Sequence, residues 1–332
     1  MRAFADTGRS LAHATLPRVK LRELGEFGLI ERIARAAARR RGTRGVVLGI
    51  GDDAALLRLR AGEQVAVSTD ACFEGVHFRL RNESPRTLGR RALVANLSDL
   101  AAMGARPLGC LLALALPPGL LVRTADALVA GLLDEAARHG CPLVGGNLSR
   151  ASEISLTITV IGAVARGRGL RRGAARVGDR LFVTGTLGGA ALERARAERG
   201  RGRIRHVPVP RLRAGRALAT FAGRVACIDV SDGLDADLAH LLAGRALGAE
   251  IDSSRLPVPP GFRAACKRSR LDPEALARGG GEDYELLFTL GPAAPSAARL
   301  ARRLGVRVTE IGRVVRRAPA SPAPAHRGWR HF

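Results

Sequence analysis

Four aspartates fall within nine residues of the stretch Cys227-Ile-Asp-Val-Ser-Asp-Gly-Leu-Asp-Ala-Asp-Leu-Ala-His240: Asp229, Asp232, Asp235 and Asp237. Part of this is ordinary helix initiation. Ser231 is a good N-cap and acids in a first turn favour the helix dipole. Leu234, Leu238, Leu241 and Leu242 then share one helical face. Capping covers Ser231, Asp232 and Asp235. It does not cover Asp229, which precedes the cap in an apolar, strand-like run.

Other acids sit in similar settings. Asp52 and Asp53 lie in Gly49-Ile-Gly-Asp-Asp-Ala54, and Ser68-Thr69-Asp70 closes the next strand-like run. Ser98-Asp99 precedes an apolar helical run, and Glu282 follows three glycines in Gly279-Gly-Gly-Glu-Asp-Tyr-Glu285. Taken singly, each reads as a turn, cap or loop acid. Taken together, every one borders a glycine, serine or threonine at a strand terminus, where α/β proteins gather site residues. Two carboxylates 4 Å apart at an effective dielectric of ~20 repel by roughly 4 kcal/mol. The acids therefore lie apart, or they share hard divalent cations. Mg²⁺ suits an all-oxygen ligand set and is completed by water and substrate phosphates.

Phosphate chemistry is the natural companion of such a site, yet the common phosphate loops are missing. A Walker A loop requires Gly-Lys-[Ser/Thr], and neither lysine, Lys20 or Lys267, qualifies. The Gly49–Ala54 segment matches a dinucleotide fingerprint only by setting Asp52 and Asp53 against a pyrophosphate. Protein-kinase, serine-hydrolase and zinc-protease signatures are absent.

The elements that must carry these residues mix helices and strands throughout. Amphipathic helices are expected from Gly25 towards Arg41, over Pro85–Met103 and over Arg123–His139. Strands are expected at Val46–Gly49, Gln64–Thr69, Cys110–Leu116 and Ile154–Ile161. The glycine-rich, charged segment from Arg166 to Gly173 is the best domain boundary. Beyond it come a strand from Leu181 to Thr184, helices near 188–199 and 211–222, a strand and helix over 225–245, a strand at Tyr284–Leu290, a helix over 295–304 and a strand at Arg307–Ile311. A Pro/Ala stretch from Ala318 to Ala325 precedes the aromatic tail Gly328-Trp-Arg-His-Phe332. We expect a disordered extension over 1–22, an N-terminal domain over 23–165 and a C-terminal domain over 166–332, in an α+β fold of two α/β-type domains.

With 332 residues and 46% hydrophobic content, the chain can bury a large core. No apolar run reaches the ~18 residues of a membrane span. Five scattered cysteines without a CxxC pair fit free thiols in a reducing cytoplasm. The net charge is +24, and all but two of the 54 basic residues are arginine. With only 3% aromatic residues and no nucleic-acid motif, this excess reads as solvated faces rather than a nucleic-acid surface.

GIGDDAALL (49–57), VSTDACFEGVHF (67–78), NLSDLAAMGARP (96–107), IDVSDGL (228–234) and GGEDYELLF (280–288) resemble thiamine-monophosphate kinases, in the aminoimidazole-ribonucleotide-synthetase-like superfamily. The match runs in order from about Gly25 to Phe332. The resemblance implies an N-terminal mixed-sheet domain that pairs in a homodimer and a C-terminal α/β sandwich. It implies transfer of a phosphoryl group from ATP to thiamine monophosphate, with Mg²⁺ ions. Its magnesium ligands fall on Asp53, Ser68, Thr69, Asp70, Asp99, Asp229 and Asp232. ATP contacts fall on Gly145, Gly146, Arg172 and Ser231, and substrate contacts on His77, Glu282 and Trp329. Asn147 stands where the family carries a further aspartate ligand; its amide oxygen can coordinate Mg²⁺ without adding charge. The competing readings are another small-molecule kinase or synthetase of that superfamily, and a non-catalytic nucleotide-binding paralogue.

Overall fold

The structure is a computed structural model and describes residues 19–40, 45–244 and 246–316. Trp329, the Pro/Ala stretch, Arg41 and the extension before Val19 lie outside the described residues.

The N-terminal half runs α1 (Leu21–Ala38), β1 (Val46–Leu48), β2 (Leu56–Leu57), β3 (Glu63–Phe73), α2 (Pro85–Ala102), β4 (Arg106–Leu116), α3 (Val122–His139), β5 (Leu143–Arg150) and β6 (Ser155–Ala165). Strand order is β3-β6-β4-β5, with only β4 and β5 parallel. β6 alternates as read from its sequence. Leu156, Ile158 and Val160 are buried with the core residues of α2 and α3, while Thr157 and Thr159 face the open side. Ser84 caps α2 by accepting from the Thr87 N–H at 3.0 Å, and Pro85 occupies its first turn. Glycines let α2 and α3 close up: a Cβ on Gly89 would stand 1.9 Å from the Leu128 carbonyl oxygen.

The C-terminal half runs β7 (Arg180–Thr184), α4 (Gly189–Glu198), α5 (Leu212–Leu218), β8 (Ala226–Asp229), α6 (Leu234–Leu241), β9 (Leu247–Ile251), α7 (Phe262–Ser269), α8 (Pro273–Gly279), β10 (Leu286–Leu290), α9 (Ala297–Leu304) and β11 (Val308–Arg316). Its antiparallel sheet has the order β8-β10-β7-β11-β9. Both faces are covered. Leu181 and Val183 face the core shared with α6 and α7, while Phe182 and Phe288 belong to the core that continues into the N-terminal half. The halves are therefore joined by packing, through α2 against α5.

Several expectations are corrected. Leu21 and Arg22 do not belong to a disordered extension: the Leu21 N–H bonds the Leu120 carbonyl at 2.9 Å and its side chain is buried. β3 continues to Phe73, so Asp70 lies inside an edge strand rather than at its end. Asp99 occupies the last turn of α2 rather than a helix start. The helix expected over 211–222 is only the seven-residue α5. β5, β9, α7 and α8 were not foreseen, because glycines, short lengths and sparse apolar spacing hide them.

Candidate active site

A cavity of about 810 Å³ opens between the two halves. Thr69 and Asp70 reach it from β3, Asp99 from α2, Asp229 from β8, and Ser231 and Asp232 from the loop that follows. Arg172, His77 and Glu282 complete the wall. Residues from four of the five sequence motifs, together with Arg172, thus meet in one hollow.

The local fold explains how. Asn96 is buried in α2; its Oδ1 accepts the Asp70 backbone N–H at 3.1 Å and its Nδ2 donates to the Ala92 carbonyl at 2.9 Å. One turn later on α2, Asp99 Oδ2 accepts from Ser68 Oγ at 2.6 Å. Those bonds fix β3 against α2, so Ser68 acts from behind the cavity wall. β8 brings Asp229 in from the other half, opposite Leu286 of β10. Arg171 bridges to Ala226 of β8, which sets Arg172 beside Asp229. His77 Nδ1 accepts the Phe73 N–H at 3.1 Å, so a neutral ring carries its proton on Nε2.

Ser231 does not cap the helix. α6 begins at Leu234 with Gly233 in the cap position. Asp237 works in the reverse direction: its Oδ2 accepts the backbone N–H groups of Ser231, Asp232 and Gly233 at 3.0, 3.0 and 3.1 Å. This carboxylate shapes the loop that presents Ser231 and Asp232. The loop also stacks on the glycine run: the Glu282 N–H bonds the Ser231 carbonyl at 2.7 Å. Gly281 has φ +68, and a Cβ there would lie 2.7 Å from that same carbonyl.

The electrostatics single out the aspartates. Arginine partners hold the buried acids Glu83, Glu135, Asp179, Asp235 and Glu285. Among the described residues, no such ion pair reaches Asp70, Asp99, Asp229 or Asp232. Burial pushes the Asp229 carboxyl up to about 7, and the nearby charge of Asp99 adds to the shift, with Arg172 opposing it. Burial also raises Asp99, against the Ser68 hydrogen bond, and raises Asp70, which Asp232 raises further. In a chain of net charge +24, these carboxylates are left short of positive charge.

That deficit fits a hard cation. Among the described residues, no three acidic, histidine or cysteine side chains stand close enough to enclose an ion by themselves. Mg²⁺ commonly takes one or two carboxylates and completes its shell with water and substrate phosphates. The donor set therefore fits Mg²⁺ held jointly with phosphates.

Not every expected residue reaches the cavity. Asp53 is exposed, with its N–H on Asp52 Oδ1. Gly145, Gly146 and Asn147 lie on β5, across the sheet from β3. The register aligns Asn147, Ala113, Thr157 and Ala71 in one row, about 14 Å from end to end. Asn147 faces the open side and donates to Ser149 Oγ at 2.9 Å. Gly146 has a packing reason of its own, since a Cβ there would meet the Leu112 carbonyl at 2.0 Å. Asp283 and Glu285 are structural. Asp283 Oδ2 accepts the Gly188 N–H at 2.8 Å at the start of α4, and Glu285 takes both Arg211 Nε and Nη2 at 2.6 Å. The sequence reading missed Asp237 and the arginines that hold Glu282. Asp237 was within the first motif, and its spacing alone gave no sign of the backbone groups it would accept.

Comparison with known proteins identifies the family. Residues 51–164 match the N-terminal domain model, and residues 176–321 the C-terminal domain model, of AIR synthase related proteins. A thiamine-monophosphate kinase of Synechococcus elongatus is 39% identical over 310 residues, 89% of this chain and 90% of that protein. The crystal structure of the thiamine-monophosphate kinase of Stenotrophomonas maltophilia superposes with a TM-score of 0.76 at 39% identity, covering 88% of this chain and 94% of that one. A ThiL structure complexed with AMPPCP and TMP has a TM-score of 0.69 at 29% identity, covering 95% of this chain and 99% of its own. The chain belongs to the thiamine-monophosphate kinase family, within the AIR synthase related proteins.

Proposed function

We infer that this chain transfers the γ-phosphoryl group of ATP to thiamine monophosphate, giving thiamine diphosphate and ADP. The observation that carries the reading is the meeting, in one cavity, of arginine-poor aspartates from both halves with Arg172. Family membership supplies the substrates.

The nucleophile is an oxygen of a phosphate monoester, already ionised near neutral pH. It forms a bond to the γ-phosphorus as the bond from that phosphorus to the β,γ-bridging oxygen breaks. ADP leaves with that oxygen, and no proton has to move. A general base is therefore unnecessary. The difficulty is an anion attacking an anion, so the site must neutralise both phosphates and hold them in line. Bound Mg²⁺ supplies most of that neutralisation, and Asp70, Asp99, Asp229 and Asp232 are the residues that would hold it. Arg172 brings a permanent positive charge to the nucleotide. His77, protonated on Nε2, donates to the thiamine monophosphate, and Glu282 accepts from its thiamine half.

Purified protein given ATP, Mg²⁺ and thiamine monophosphate is expected to release ADP, read in a coupled assay. Omitting thiamine monophosphate or chelating the metal should cut that rate by about a hundredfold or more. ADP release that ignores thiamine monophosphate would overturn the reading.

We also propose that a second copy covers the open face of the N-terminal sheet. That face leaves Val65 and Val67 more than half exposed, at 52% and 62%, on the edge strand β3. Contiguous exposed apolar surface of this kind marks an interface. Sedimentation equilibrium should give a dimer mass, and a monomer at micromolar concentration would contradict it.

A further inference from the structure

Apart from the aspartates, the cavity has a second, charge-balanced end. Glu83 is fully buried, and both its oxygens take Arg91 Nη1, at 2.7 and 2.8 Å. Arg91 Nη2 reaches across to Glu282 Oε1 at 2.9 Å. Glu282 Oε2 is held by Arg194, whose Nη2 also donates to the Gly280 carbonyl at 2.6 Å. Glu83 and Arg91 come from the N-terminal half, Glu282 and Arg194 from the C-terminal half. Glu282 itself has φ +59, a strained conformation for a non-glycine residue, which the Ser231 bond and the two arginines sustain.

We propose that Arg91 is a positioning residue for Glu282, with Glu83 as its buried counter-ion, and that this relay sets affinity for the thiamine half of the substrate. The inference rests on the reading of Glu282 as a thiamine contact. A carboxylate has about four lone-pair positions, and two arginine bonds leave it able to accept an N–H from an amino-heteroaromatic ring. A planar guanidinium that bridges two carboxylates fixes the direction of those remaining positions. The aspartates at the other end handle phosphate and metal. Loss of the relay should therefore weaken thiamine monophosphate binding and leave ATP binding and the chemical step in place.

Removing Arg91 alone would strand Glu83 in the core and threaten the fold. The double variant Glu83→Gln, Arg91→Gln removes both buried charges together and is the better probe. Its KM for thiamine monophosphate is expected to rise about tenfold or more, the scale of one lost charge-assisted bond. Its kcat and its KM for ATP should stay within about threefold of wild type. Calorimetric titration with thiamine monophosphate alone should show the same loss of affinity. Arg91→Lys keeps the charge but loses the planar fork, and should still raise the KM for thiamine monophosphate about threefold or more, less than the double variant. An unchanged KM for thiamine monophosphate in the folded double variant would overturn the proposal, and so would an equal rise in both KM values. If the double variant does not fold, Glu83→Gln alone decides: a rise of about threefold in that KM supports the relay, and no change refutes it. Wild-type protein without thiamine-dependent turnover would instead refute the kinase reading itself.

Discussion

Asparagine in place of Asp229 is expected to lower thiamine diphosphate formation by at least about a hundredfold while making the ligand-free protein more stable. The two effects share one cause. Asp229 is 3% exposed and forms no ion pair, and the nearby Arg172 offsets only part of the cost of its charge, so a cation or substrate complex would compensate the rest. Its carboxyl is pushed up to about 7, above the ordinary aspartate range, by burial and by Asp99. A carboxyl with a raised folded-state pKa favours folding at low pH and loses that contribution as pH climbs through the raised value. The ionised wild type therefore carries a cost at about pH 8 that the asparagine variant lacks, of roughly 4 kcal/mol. Thermal denaturation without metal should show Asp229→Asn melting above wild type at about pH 8, with the gap shrinking towards about pH 4. A folded variant with full activity would remove Asp229 from the site. A variant that melts below wild type at every pH would show that its charge is satisfied in the ligand-free protein.

The second large effect concerns the seam between the halves. A Cβ on Gly215 of α5 would stand 1.8 Å from the Ala101 carbonyl of α2, two residues beyond Asp99. Valine there must push α5 off α2 or shift the end of α2 that carries Asp99. Overpacking of this kind costs about 3 kcal/mol. For a chain of this size, Gly215→Val should lower Tm by about 4 °C. The displacement would also disturb the pairing of Arg211, at the start of α5, with the buried Glu285. Activity should fall more than stability alone explains, since Asp99 and Asp229 approach the cavity from opposite sides of this seam. A change in Tm under about 2 °C would mean that the helices can part freely.

Much of the site was legible because its residues sit in short local patterns. Asp229 stood out as an acid in an apolar run, and the structure buries it at the end of β8. Asp70, Asp99, Asp232, Arg172, His77 and Glu282 share its cavity. What could not be read were long-range pairings. Arg91 and Glu282 are 191 residues apart, and neither motif contains a sign of the other. Local pattern also misled at Ser231, whose N-cap role depends on its own side chain. Asp237 instead captured the backbone groups, a choice made by the fold of the whole loop. On the fold, the strongly periodic elements were found and β5 was not. Its Gly145-Gly146 pair lacks the apolar alternation that marks a strand, yet glycine is what lets β5 lie against β4. The α+β class was nevertheless plain from the mixture of periods in both halves.

The central claim is that acids from both halves serve one cation–phosphate cluster. Titration of the protein and ATP with Mn²⁺, followed by electron paramagnetic resonance, tests it directly. Asp99→Asn, in the N-terminal half, and Asp229→Asn, in the C-terminal half, should each weaken Mn²⁺ binding in the presence of ATP by about tenfold or more. Unchanged Mn²⁺ affinity in either folded variant would contradict it, because that aspartate would then serve no ion shared with the nucleotide.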